Sequence, residues 1–468
     1  MSCSLRLSAR TSPELLVAIG IYLLAGCLLL SGLLVYKISG ESYTNLWSGR
    51  FRGASAVAVL GVSGAIVLIG AAFQKAAAAR RKAFWVPVVA NALALLACLV
   101  FGEVSLRVAA QPDALGLRVG GAILLPYDWK AFARDNLSIL ERTRSDHSFY
   151  VEDAVLGWTI APDRDAADGI HKSSAEGLRT MNRGTDLRSQ QAQHRVALFG
   201  DSFTFGEDVP FEQSWGHFLE AHTSPGTQVL NFGVDGYGLD QAYLRFRREV
   251  NKWTPDATVL AFIQDDLYRS VGVYPFFRLT WQRPFSKPRF ILNGTELKLL
   301  NVPNIPPDQI FRKSSAVELP FLQYDENFQP TAYAWGPHFL YSAYLARFIA
   351  AKFPRWSPPN PHTTDEMALQ LASRLIKEFV AAAHSEQTVP IVIYLPSRND
   401  FDGSGPVLER QLRKLLSIEN IELEDTTDCV RSHVSRTELF LEGRPHYSSA
   451  GNAAVAKCVA PLITAQLN

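Results

Sequence analysis

The sequence is poor in the features that mark cofactor and nucleic-acid proteins. It holds no Gly-x-x-x-x-Gly-Lys phosphate loop, and the glycines of Gly233-Val-Asp-Gly-Tyr-Gly238 do not fit the dinucleotide fingerprint. Its five cysteines show no Cys-x-x-Cys spacing, so a structural zinc site has no support. Net charge is +1, with no long basic run outside the flanks of the apolar segments, which argues against a nucleic-acid partner. Neither a metal nor a cofactor is expected. Cys429 and Cys458 bracket His446 in the chain. Outside the cytoplasm they would close a loop of about 28 residues, worth roughly 3 kcal/mol by chain entropy. Inside it they would be two buried thiols, and both readings stay open.

Apolar residues make up 47% of the 468 and are concentrated at the front. Residues 15–36 and 54–73 carry no charge, and residues 84–101 carry only Asn91 as a strongly polar residue. Each is close to the ~20 residues that cross a bilayer as a helix. Arg6 and Arg10 precede the first stretch, and Lys75, Arg80, Arg81 and Lys82 fill the loop after the second. Placing both groups in the cytoplasm satisfies the positive-inside bias, although Lys37, Arg50 and Arg52 then face out. Three spans put everything after Phe101 on the outer side. Leu24-Ala-Gly-Cys27 has the form of a lipoprotein cleavage box, but the apolar run continues to Tyr36 and two more spans follow, so the first span reads as an uncleaved anchor. The expected organisation is a membrane anchor over residues 1–112 and an outer domain over 113–468, in a multi-pass protein of the inner membrane.

Residues 102–190 give mixed short signals. Gly157-Trp158 and Gly177-Leu-Arg179 look like turn-anchored pieces packed on a larger domain, and no chemistry stands out there. From residue 194 apolar runs alternate with amphipathic segments. Strands are expected at 195–199, 228–232, 257–263, 389–395 and 421–424, and helices at 211–221, 239–253, 365–384, 406–416 and 450–465. This alternation implies an α/β fold, a mostly parallel five-stranded sheet with helices on both faces in three layers. Between about 268 and 345 the pattern breaks into an insertion that could wall a site, with a hairpin turning at Asn293-Gly294. Its aromatics Tyr274, Phe276, Phe277 and Trp281 fit either packing of the insertion or a substrate platform.

The most informative stretch is His194-Arg-Val-Ala-Leu-Phe-Gly-Asp-Ser202-Phe-Thr-Phe-Gly-Glu-Asp208. A short buried strand stops at Gly200, and Ser202 stands at that stop ahead of a helix. A nucleophilic serine needs this setting, with exposure at a strand end and free backbone N–H groups close by. A helix-capping serine is the plain alternative. In a parallel sheet the site lies at the carboxyl ends of the strands. Three other stretches end there: Asn231-Phe-Gly233, Phe262-Ile-Gln264-Asp265-Asp266, and Leu439-Phe-Leu-Glu-Gly-Arg-Pro-His446-Tyr. Gly200-Asp-Ser202, then a glycine, then an amide or acid, then a C-terminal histidine, resembles the block order of the SGNH (GDSL) hydrolase family, specifically its membrane-anchored bacterial branch. The resemblance spans roughly residues 150–468 and implies a flavodoxin-like sheet.

By that resemblance Ser202 is the nucleophile, His446 the general base, and the N–H groups of Ser202 and Gly233 hold the oxyanion. The reaction is acyl transfer through a serine ester. Two positions depart from the family. Where it has an asparagine as third oxyanion donor, this chain has Asp265. Ionised, Asp265 would oppose the anion by about 4 kcal/mol at roughly 4 Å and an effective dielectric near 20. It must then be protonated, or Gln264 supplies the amide, or the chemistry differs. Where the family has the acid that orients its histidine, this chain has Gly443 and Arg444. Glu442 is the nearest candidate, with Asp425 and Asp428 farther off, and a Ser–His pair without an acid is a further option.

The resemblance implies a membrane-anchored esterase whose substrate is an acylated small molecule, glycan or lipid, as of the cell envelope, met on the periplasmic side. An O-acyltransferase of an envelope polysaccharide would use the same serine, and an inactive glycan-binding scaffold among envelope-assembly proteins would explain the departures. Transport of an acyl donor by the spans themselves fits poorly with their lack of polar residues.

Overall fold

A computed structural model describes residues 129–143, 148–278, 283–294, 296–328, 363–401 and 407–467, with residue 20 and short pieces between 96 and 124. The chain divides into two units, Met1–Trp129 with Thr331–Pro358, and Lys130–Pro330 with Pro359–Asn468. In the first unit, three short antiparallel strands run at Gln111–Asp113, Gly116–Val119 and Ala122–Leu124. The three expected spans lie almost wholly outside the described residues. Among the described residues, no helix is long and apolar enough to cross a membrane.

The second unit is built on five parallel strands: β1 (His194–Phe199), β2 (Thr227–Asn231), β3 (Ala257–Phe262), β4 (Val389–Tyr394) and β5 (Glu424–Asp425). Their order across the sheet is β2-β1-β3-β4-β5, and each neighbouring pair is parallel. This is the flavodoxin-like winding, in which the chain reverses direction between β1 and β3 and leaves a crevice at their carboxyl ends. The expected α/β sheet is present, except that β5 is shorter and starts later than the 421–424 expectation. It is an edge strand that pairs only with Ile393 and Tyr394.

The apolar runs are long because both faces of the sheet are covered. Ala197 and Phe199 of β1 pack with α3 (Leu239–Trp253), α5 (Thr363–Ser385) and α6 (Val407–Ile418). Val196 and Leu198 point the other way, against α2 (Trp215–His222) and α7 (Ser449–Leu467). Between them lie two short helices, α1 (Ser202–Phe205) after β1 and α4 (Gln264–Arg269) after β3. They put the ends of β1 and β3 side by side at the crevice.

The hairpin in the insertion forms at Arg289–Asn293 and Glu296–Leu300, with Asn293 opposite Glu296. Lys287, just before it, forms a fully buried ion pair with Asp240 of α3. Tyr274 and Phe276 are buried and meet Phe277 and Phe311 in tilted and edge-to-face contacts, and Tyr274 Oη donates to Pro320 O at 2.9 Å. These rings pack the insertion and join it to Phe132, whose ring lies 5.5 Å from Phe276. Trp281 lies outside the described residues.

Candidate active site

Ser202 is the first residue of α1. The turn from β1 into this helix needs a glycine at 200, because a Cβ there would stand 2.4 Å from Ala261 O of β3. Asp201 caps the helix by accepting from the Phe203 N–H at 2.9 Å. Gly206 ends it in the left-handed conformation at φ 79°. Four residues of helix place Ser202 at the strand end and send Glu207 and Asp208 back beside it, and Ser202 is 1% exposed, not open at the surface as expected.

His446 arrives from the other end of the domain. Its loop is pinned by a β-bridge between Phe440 and Tyr447, by Leu441 N donating to His446 O, and by Tyr447 Oη donating to Pro396 O at 2.6 Å. Phe203 meets the imidazole edge-on at 5.1 Å. Ser202 Oγ donates to His446 Nε2 at 2.9 Å, and His446 Nδ1 donates to Asp208 Oδ2 at 2.7 Å. The structure therefore brings together Ser202, His446 and an acid.

The acid is not the one expected. Glu442 is exposed and has no contact with His446, because the turn at Gly443 (φ 69°) carries it away. Asp425 pairs with Arg413 and Asp428 with Arg431. Asp208 takes the place instead, and Arg444, at the position where a family acid would stand, reaches back to within 3.5 Å of its other oxygen. One signal was available in the sequence: a second acidic pair, Glu207-Asp208, a few residues after the serine.

The family model for GDSL-like Lipase/Acylhydrolase matches residues 196–459, more than half of the chain. The chain belongs to this family. It is an ester-hydrolysing enzyme. No curated protein matches it. Among solved structures, a putative lipolytic protein of the G-D-S-L family from Desulfitobacterium hafniense DCB-2 is 16% identical, covering 58% of this chain and 99% of its own at a TM-score of 0.31. Axe2, an acetylxylan esterase from Geobacillus stearothermophilus, is 13% identical over 58% and 95% at 0.32. A lipase/acylhydrolase from Enterococcus faecalis is 12% identical over 58% and 97% at 0.32.

The oxyanion side of this GDSL-like site departs from expectation. The Ser202 N–H has no partner among the described residues. The Gly233 N–H does: it donates to Asn231 Oδ1 at 2.9 Å. Glycine is required at 233 for another reason, since a Cβ there would stand 2.5 Å from Phe205 N. Gly233 thus lets β2 approach α1 closely. Asp265 is held in ion pairs with Arg278 and, at 3.3 Å, with Arg269, so its charge is met by two guanidinium groups. Gln264 Oε1 accepts from Leu408 N at 3.4 Å, which turns that amide toward α6. Of the four expected groups, Gly233 N–H and Asp265 are engaged elsewhere, and among the described residues the Ser202 N–H is the open backbone donor.

Arg269 also ties the site from below. Its Nη1 donates to Asp201 Oδ2 at 3.0 Å and to Asp266 Oδ1 at 2.7 Å. Burial and the Asp201 charge raise the Asp266 pKa well above the carboxylate range.

The hydrogen-bonded chain tunes its own members. The bond from His446 lowers the Asp208 pKa against the opposing effect of burial. Burial pulls His446 down, but the Asp208 hydrogen bond and charge, with Asp201 and Glu207 behind them, outweigh it and raise the pKa. Glu207 is raised to about 7 by burial and by the Asp235 charge. Among the described residues, the one cluster with metal-ligand spacing is Cys429, His433 and Cys458, and its two cysteines are joined in a disulfide.

Proposed function

We propose that this enzyme is a membrane-tethered serine esterase acting outside the cytoplasm on an ester-linked acyl group of a cell-envelope glycan or lipid. The observation that carries the catalytic assignment is the chain from Ser202 through His446 to Asp208, at 2.9 and 2.7 Å. The Cys429–Cys458 disulfide supports an oxidising compartment, as do the three uncharged stretches with basic residues at their cytoplasmic ends.

In this reading neutral His446 takes the proton of Ser202 as Oγ attacks the ester carbonyl carbon. Asp208 holds the ring in the tautomer that leaves Nε2 free to accept, and stabilises the imidazolium as it forms. The developing oxyanion takes the Ser202 N–H, a single donor of this kind being worth about 3–4 kcal/mol. Collapse expels the alcohol, which takes the proton from His446 and leaves an acyl-serine. Water, deprotonated by His446, then releases the acid and regenerates Ser202. With Asp208 in place of the absent family acid, the site has the parts for catalysis, which favours an enzyme over an inactive scaffold.

The test is labelling of the purified full-length protein by a fluorophosphonate. Wild type is expected to label and Ser202→Ala to remain unlabelled. An unlabelled wild type, beside a family esterase that labels, would refute the nucleophile. Protease access to the domain in spheroplasts, with none in intact cells, tests the location.

A further inference from the structure

Asp208 reaches His446 from a short loop, and that loop is gripped from outside the sheet. Residues 206–209 leave the end of α1 as a turn whose one internal bond is the long Val209 N to Gly206 O contact at 3.4 Å, so its carbonyls look outside for partners. Three of the four find them in one earlier segment. Arg179 Nη1 donates to Gly206 O at 2.8 Å, and Nη2 to Val209 O at 2.5 Å. His171 Nε2 lies 2.7 Å from Glu207 O, and since a carbonyl only accepts, that nitrogen carries a hydrogen.

The grip is itself fixed. Arg179 is 1% exposed, lies 4.4 Å above the Phe205 ring, and sits in a two-residue strand at Arg179–Thr180 paired with Lys172–Ser173. His171 is 4% exposed and packs 4.9 Å from the same Phe205 ring. Its Nδ1 meets Asp168 Oδ2 at 2.5 Å, and Asp168 Oδ1 accepts from the Ile170 and His171 N–H groups. Both ring nitrogens thus face acceptors, and donating to both takes the imidazolium, which burial and the Arg179 charge oppose and the Asp168 charge favours.

We propose that Arg179 and His171 are positioning residues for the reaction: they set the place of Asp208, and through it the ring of His446. The proposal rests on the assignment of Ser202, His446 and Asp208 given above. It gives residues 168–180 a task in catalysis.

A double-mutant cycle on the full-length chain in detergent tests it, with p-nitrophenyl acetate as the probe. His171→Phe keeps a ring against Phe205 and removes the N–H to Glu207 O. It is expected to lower kcat on the order of 10- to 100-fold with KM within about twofold of wild type, a loss typical of a displaced catalytic group. In an Asp208→Ala background, already down about 10³-fold or more, the same change is expected to cost less than about twofold, since its route of action is gone. Arg179→Met repeats the cycle, and if that variant fails to fold, His171→Phe decides alone. Equal losses in both backgrounds, or no loss in the first, overturn the proposal. Retention of wild-type turnover by Ser202→Ala would instead bring down the assignment beneath it, and the proposal with it.

Discussion

Replacing Asp208 by asparagine tests the hydrogen-bonded chain at its far end. Asp208 Oδ2 lies 2.7 Å from His446 Nδ1, and both side chains are 15% exposed, so water screens the pair only partly. Taking roughly 4 Å between charge centres and an effective dielectric near 20, carboxylate and imidazolium attract by about 4 kcal/mol. That imidazolium exists only while Ser202 attacks, so the loss should fall on kcat, by about 10³-fold. Asparagine adds a second fault. Its amide N–H facing Nδ1 would favour the tautomer with hydrogen on Nε2, which cannot accept from Ser202, and the combined loss approaches about 10⁴-fold. The assay is steady-state hydrolysis of p-nitrophenyl acetate, with thermal melting to show that the fold is intact. KM should stay near the wild-type value. A kcat within about tenfold of wild type, or a comparable loss from Glu442→Gln, would refute the assignment of Asp208. The pH profile gives an independent check. His446 must be neutral to act as base, so wild-type kcat/KM should rise with pH through an inflection above the ordinary value of about 6.5. In Asp208→Ala the largest interactions that raise the pKa are gone, leaving burial against the weaker Asp201 and Glu207 charges, so the inflection should move to lower pH.

Three further outcomes are expected. Glu207→Gln removes a carboxyl that ionises near pH 7 and whose charge favours protonated His446, so the kcat/KM inflection should shift down and sharpen toward a single titration; an unchanged profile would show that Glu207 does not act on the base. Gly233→Ala drives a methyl to 2.5 Å from Phe205 N, and should cost about 1–3 kcal/mol in a denaturant melt while displacing α1 and slowing turnover. Removing the disulfide by Cys429→Ala with Cys458→Ala opens a link between residues 29 apart, and should cost roughly 3–4 kcal/mol by chain entropy, read as a lower denaturation midpoint that reducing agent reproduces in wild type.

The sheet was legible because burial on both faces leaves a plain mark. Val196 to Phe199 are all apolar since α2 and α7 cover one face and α3, α5 and α6 the other. The bounds of α3 agreed with the expected 239–253 because its apolar positions recur on one side of a long helix. Ser202 and His446 were legible because each stands in a block with a fixed order along the chain. Asp208 was not, because the family's acid lies just before its histidine, whereas here the acid stands on the turn of the serine. The parts played by Arg179 and His171 left no mark of residue type, since both contact backbone carbonyls, which every residue possesses. Gly233 shows the opposite error: a glycine in the expected place, kept there by close packing against α1, with its N–H engaged by Asn231.

Serine and acid share one turn, six residues apart in the sequence, whereas the base lies 244 residues beyond the serine. During synthesis the nucleophile and the carboxylate therefore leave the ribosome together, long before the imidazole that joins them. Until α7 docks, where Asn452 Oδ1 accepts from Trp215 N at 3.0 Å, the serine has no base and is an ordinary alcohol. The enzyme is thus born inert, and a chain still being made cannot attack the esters around it.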